Sequence, residues 1–156
     1  MARRHRAIKS SASTDPKFNS ELVARIINCI MRRGKKSVAE GIVYGALDEI
    51  KEKMGEDPLE VLIKAVDNVK PKVEVKSRRV GGATYQVPVE VNRVRGMALA
   101  IRWMVEHSGG RKGVPMKKAL STEIMEAYKG QGEAIKKRDD THKMAQANRA
   151  FAHYAW

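Results

Sequence analysis

The chain has 156 residues, with 31 Lys plus Arg against 18 Asp plus Glu and a formal net charge of +13. That length supports one compact domain with its own core, and that charge makes a polyanion the first partner to consider. A single cysteine excludes an internal disulfide framework and a multi-cysteine metal site, no run nears the ~18 apolar residues of a membrane span, and 42% hydrophobic content argues against disorder throughout. The basic opening MARRHR lacks the apolar run of a secretory signal, so a cytosolic or organelle-matrix setting is expected.

Residues 1 to 19 show no periodicity and are rich in Ser, Ala, Arg and Lys, so they are expected to order only on a partner. Leu22, Val23, Ile26, Ile27, Ile30 and Met31 then recur at helical spacing, with Gly34 as the expected stop. Cys29 falls near Leu22 on that stripe and is expected to be a small buried hydrophobe. Ser37 and Glu40 have capping-box spacing before a second stripe of Ala39, Ile42, Val43, Leu47, Ile50 and Met54. Asp57, Pro58 and Glu60 open a third helix with Leu59, Leu62, Ile63, Val66 and Val69 on its face, and Pro71 ends it.

The period then changes to two. Val73 and Val75 alternate with charged residues, and after Gly81-Gly82 the residues Tyr85, Val87, Val89 and Val91 alternate with Gln86, Pro88 and Glu90. This is a β-hairpin with no further strand to join, reaching roughly 25 Å at ~3.3 Å per residue. Helix resumes near Arg93, with Val94, Ala98, Ile101 and Val105 on one side and Leu99 and Trp103 nearly opposite. A glycine-rich basic loop, SGGRKGVP, precedes a fifth helix bearing Met116, Ala119, Leu120, Ile124, Ala127 and Tyr128. The sixth starts near Glu133, with a thin stripe from Ala134 and Ile135 to Met144, Ala147 and Phe151. The fold class expected is mainly α: a single bundle of about six helices with a projecting two-stranded hairpin between the third and fourth. Its domain is expected to span 20 to 156, after a basic extension over 1 to 19.

Charge is unevenly placed. Residues 38 to 69 hold eight acids against three bases, whereas basic clusters lie at Arg3, Arg4 and Arg6, at Arg32, Arg33, Lys35 and Lys36, along 70 to 95, and at Arg111, Lys112, Lys117 and Lys118. One cluster reads as a solvated face; four with an acidic counterpart read as a surface with a bound side and a free side. On the ribbon, Lys72, Lys76, Arg78 and Arg79 suit phosphates, and Tyr85 suits either stacking on a base or packing on the body. GKKS at 34 to 37 lacks the earlier glycine and preceding strand of a phosphate-binding loop. His5, His107, His142 and His153 have no metal-ligand spacing, and Asp139, Asp140 and His142 read as a charged helix start rather than a catalytic group. No catalytic residue, metal or cofactor is expected.

GKKS at 34 to 37, NVKP at 68 to 71, SRRVGGATYQVPVEV from Ser77 to Val91, RWMV at 102 to 105 and KKRDDTHKMAQANRAFAHYAW from Lys136 to Trp156 resemble the family of ribosomal protein seven of the bacterial small subunit. The likeness runs in order from about residue 20 onward. It implies a six-helix body with a β-ribbon and direct binding to the three-prime major domain of small-subunit ribosomal RNA. It also implies nucleation of head assembly and a place at the subunit interface near exit-site tRNA and messenger RNA, beside ribosomal proteins nine and eleven. RNA contact carries over by resemblance to Arg3, Arg4, Arg6, Lys35, Lys36, Lys76, Arg78, Arg79 and Arg95, and Arg149 lies within the matching carboxyl-terminal string. A DNA-bending architectural protein with a basic β-arm is the rival reading, and an RNA-modifying enzyme or nuclease the second.

Overall fold

A computed structural model describes residues 14–154, so Arg3, Arg4 and Arg6 lie outside the described residues. Within that range the chain forms α1 (Glu21–Ile30), α2 (Lys36–Met54), α3 (Pro58–Val69), β1 (Val73–Val80), β2 (Ala83–Glu90), α4 (Arg93–Gly110), α5 (Met116–Tyr128), α6 (Glu133–Ala147) and a 3-10 segment (Arg149–Tyr154). The expected mainly helical fold with a hairpin between α3 and α4 is what forms. One core joins Val23 and Ile27 of α1, Val43, Leu47 and Ile50 of α2, Leu62 and Val66 of α3, Ile101 and Trp103 of α4, Leu120 and Ile124 of α5 and Ile135 of α6. None of the helices among the described residues is long and apolar enough to cross a membrane.

Several local expectations are overturned, each for a physical reason. The first helix ends at Ile30, and the chain turns through two left-handed residues, Arg33 (φ 53°) and Gly34 (φ 72°). Ser37 is not a cap: Lys36 N–H bonds the Gly34 carbonyl, Lys36 is already helical, and Glu40 pairs with Lys36 one turn on at 3.7 Å. Cys29 is exposed, because it sits at the edge of a stripe whose own flank, Leu22, is only half-buried. Gly109 and Gly110 are the last residues of α4 rather than a loop, while Val94 and Ala98 face solvent and the buried side is Gly96, Ala100, Ile101, Trp103 and Met104. In α6, Met144 and Ala147 point outward, and Thr141 and Ala145 continue the buried line from Ala134 and Ile135. In α3 Ile63 is exposed rather than on the buried face, while the helix start acts as expected: the Asp57 side chain accepts Leu59 N–H ahead of Pro58, and Gly55 closes α2 at φ 70°.

The segment before α1 is fastened down. The buried Asp15 accepts the Tyr44 hydroxyl at 2.6 Å and the backbone N–H groups of Lys17 and Phe18, while the Lys17 ammonium sits over the Phe18 and Tyr44 rings. That carboxylate pushes the Tyr44 hydroxyl up to about 12, with burial adding to it. The raised value means the bond stabilises the fold fully below the ordinary tyrosine range near ~10 and loses that contribution as pH climbs through 12. Absorbance titration of the Asp15→Asn variant is expected to return Tyr44 toward the ordinary range.

Elsewhere in the bundle, Glu123 is fully buried on α5. One carboxylate oxygen accepts the Arg111 guanidinium at 2.6 Å, and the other accepts Ala134 N–H in the first turn of α6 at 2.9 Å. Gly132 (φ 98°) makes the approach possible, since a Cβ there would stand 3.1 Å from Glu126 Cβ and 3.3 Å from Glu123 Oε1. Glu123→Ala takes one of two carboxylates from Arg111, leaving Glu126, and removes the acceptor of Ala134 N–H at the start of α6, so a loss of about 2 kcal/mol is expected in urea unfolding. Gly132→Ala should cost ~2 kcal/mol in the same measurement through backbone strain alone.

Candidate nucleic-acid interface

The ribbon is built by alternation. Val80 pairs with Ala83 across Gly81 (φ 56°) and Gly82 (φ 93°), a two-residue turn with both φ values positive that glycine accepts without strain. The register Glu74↔Val89, Lys76↔Val87, Arg78↔Tyr85 and Val80↔Ala83 puts those residues on one face and Val75, Ser77, Arg79, Thr84, Gln86 and Pro88 on the other. The two faces differ sharply in surroundings.

The first face is covered. Val87 is fully buried, and the Tyr85 ring lies 5.3 Å from Phe151 and 4.9 Å from Tyr154, so Tyr85 packs against the 3-10 segment. The Arg78 guanidinium donates to the Tyr154 carbonyl. Nearer the root, the largely buried Glu74 receives Arg95 Nε at 2.8 and 2.9 Å and pairs with Lys76 at 3.3 Å. The Arg95 hydrogen bond is the main cause holding the Glu74 carboxyl below the usual carboxylate range. Gly96, buried on α4, faces the Pro71 carbonyl and Val91 at this root. The second face is open, with Arg79, Ser77, Thr84 and Gln86 exposed.

A second basic region forms where the α1–α2 turn meets the α4–α5 connection. Cys29, Ile30, Arg32, Lys35, Val38, Val105, Gly109 and Met116 line one groove of about 390 Å³, so two clusters separated by some 75 positions share an end of the bundle. Arg32 and Lys35 line it, and Arg33, Lys36, Lys112, Lys117 and Lys118 are exposed on the flanking turns and helix starts. Lys117 lays its stem against Gly45 of α2, where a Cβ would stand 2.6 Å from Lys117 Cε. Arg111 alone in this set turns inward, bonded to Glu123 and to Glu126 at 2.5 Å. Lys72 and Arg149 are exposed, at the ribbon root and the start of the 3-10 segment.

The chain that folds into this helical body with a charged ribbon matches a known family over most of its length. The family model described as ribosomal protein S7p/S5e covers residues 2–149. The chain belongs to that family. Among curated relatives, the small ribosomal subunit protein uS7 of Thermotoga neapolitana is 59% identical over 99% of each chain. The proteins of that name from Anaeromyxobacter sp. strain K and Paramagnetospirillum magneticum are 57% and 56% identical over the whole of both chains. The resemblance noted in the sequence is thus a membership.

Residues that sequence reasoning passed over turn out to hold the ribbon. His142 of α6 accepts the Lys72 backbone N–H at 3.0 Å through Nε2, and Arg138 donates to the Asn68 carbonyl just before the ribbon. Asn68 in turn donates to the Ala127 and Tyr128 carbonyls that end α5. Nothing in the spacing of these residues announces such pairings, because their partners lie on other helices. Burial, then the nearby Arg138 charge, holds His142 below the ordinary histidine value, and Nε2 accepts only while the ring is neutral. The unfolded chain takes up that proton near ~6.5, so this contribution is present above that pH and falls as acid lowers pH toward the folded value. Exchange protection of the Lys72 amide, corrected for intrinsic rate, is expected to drop between pH 7.5 and 5.5. In His142→Gln, whose amide oxygen accepts at both pH values, that difference should vanish.

Proposed function

We propose that this protein is a non-catalytic component of the small ribosomal subunit that binds its ribosomal RNA directly and fixes the RNA's shape. The observation that carries the proposal is the ribbon's open face with exposed Arg79, on the same chain as the exposed cluster of Arg32, Arg33, Lys35, Lys36, Lys112, Lys117 and Lys118. Backbone phosphates are the natural partners of such surfaces, and a folded RNA junction presents them from several directions at once. Family membership supports this reading, since the relatives are named as small-subunit proteins.

Within that proposal, RNA contact falls to the exposed residues named above together with Lys72, Lys76 and Arg149, to the remaining guanidinium nitrogens of Arg95, and to Arg3, Arg4 and Arg6 in the basic extension. Arg78 and Tyr85 contribute at the edge of the covered ribbon face, and Arg111 acts mainly on the body. The finer reading places the protein on the three-prime major domain as a nucleator of head assembly. Its ribbon and carboxyl-terminal segment would lie near exit-site tRNA and messenger RNA, and ribosomal proteins nine and eleven would be its neighbours. The acidic stretch 38 to 69 then faces away from RNA.

Binding to a transcript of that RNA domain is expected to weaken steeply with salt, by ~0.7 to 0.9 in log-log slope per neutralised phosphate. Arg79→Ala should lower the slope by about one phosphate's worth without loss of helix content by circular dichroism. A flat salt titration, or equal affinity for duplex DNA at matched salt, would overturn the reading, the latter in favour of a DNA-bending protein.

A further inference from the structure

We infer that the 3-10 segment Arg149–Tyr154 is the seat of the ribbon, and that Phe151 and Tyr154 are positioning residues that set RNA affinity without carrying charge to it. The inference rests on the RNA-binding reading above and concerns how that binding is prepared. An isolated two-stranded ribbon is marginal in water, and this one carries Lys76, Arg78 and Arg79 close together, whose mutual repulsion favours fraying. Among the described residues no third strand supports it.

What supports it instead is one covered face. Phe151 and Tyr154 close on Tyr85 at aromatic-pair distances, 5.3 and 4.9 Å between centroids, and the Tyr154 carbonyl receives the guanidinium of Arg78, the cross-strand partner of Tyr85. One segment thus grips both strands at the same rung. The root is held separately, by His142 on Lys72 and by Arg95 on Glu74. A ribbon fixed at its root and again two rungs from its closing pair presents Arg79, Thr84 and Gln86 of the free face in one orientation. The ordering cost is then met within the protein instead of on the RNA.

The consequence is quantitative. Where the competent orientation is populated only one part in ten, apparent Kd rises about tenfold although no RNA contact has been removed. Ribbon order in the free protein separates this from direct contact. Loss of the seat keeps every phosphate contact of the bound state, and so the salt slope, but frees the ribbon amides before binding, whereas loss of a stacking aromatic weakens binding with the free ribbon still protected.

The test compares the wild-type chain with Phe151→Ala, Tyr154→Ala and the conservative Phe151→Tyr, reading affinity for the three-prime major domain transcript across a salt series. Amide exchange on Val73–Val80 and Ala83–Glu90 and the thermal unfolding of the helices are followed in parallel. The expected result is a roughly tenfold weakening, an unchanged salt slope and lost ribbon protection in both alanine variants, with helix unfolding unchanged and Phe151→Tyr close to wild type. Should Phe151→Ala disturb the helices, Tyr154→Ala at the far end of the segment carries the same comparison. Unchanged affinity overturns the inference. So does weakened affinity with ribbon protection in the free protein kept, which would make these rings direct base contacts. Absence of RNA binding by the wild-type chain would instead sink the underlying reading.

Discussion

A carboxylate removed from water must find donors, and Glu123 finds two on different elements. Its charge is met by Arg111 beyond α4 and by the open N–H of Ala134 in α6, so three successive pieces of chain are held by one side chain. The helix N-terminus contributes its own partial positive charge to that site. Because breaking such a node leaves a buried charge uncompensated, the geometry tolerates little drift. Everything α6 carries depends on it: Arg138 on Asn68, His142 on Lys72, and the segment that covers the ribbon. An interaction within the helical body therefore bears on the placement of a ribbon whose strands come much earlier in the chain.

The basic residues divide by this architecture into two kinds. Arg111, Arg95, Arg78 and Arg138 have hydrogen bonds to protein groups and knit helices and ribbon together. Arg32, Arg33, Lys112, Lys118 and Arg79 stand exposed. The planar guanidinium suits the first task, offering several donors in fixed directions, while exposed lysines serve the second as mobile point charges. Net charge alone overstates the surface available to phosphates, since part of it is engaged inside the fold.

Legibility in the sequence followed the range of the interaction. The hairpin could be read because alternation and Gly81-Gly82 are both local, and α3 because Asp57 and Pro58 sit next to the helix they start. The box at Ser37 and Glu40 misled because Glu40 had a nearer partner in Lys36. The Asn92 side chain, which accepts Arg95 N–H and opens α4, went unnoticed beside the arginines around it. Arg111 looked like one more loop cation until folding placed Glu123 and Glu126 against it. Tyr85 stood open between stacking and packing, and the choice depended on rings at 151 and 154 that no pattern around residue 85 could reveal.

The pairing of Arg78 with Tyr154 spans 76 positions of chain. At translation rates of about 5 to 20 residues per second, the ribbon leaves the synthesising ribosome ~4 to 15 s before the segment that will cover it. Through that interval Tyr85 lacks its ring partners, so an uncovered apolar face adds to outer edges that no third strand pairs, a form prone to pairing with other chains. The cations crowded along β1 repel such neighbours, so the charge that suits the finished arm to RNA also guards the unfinished one during its own synthesis.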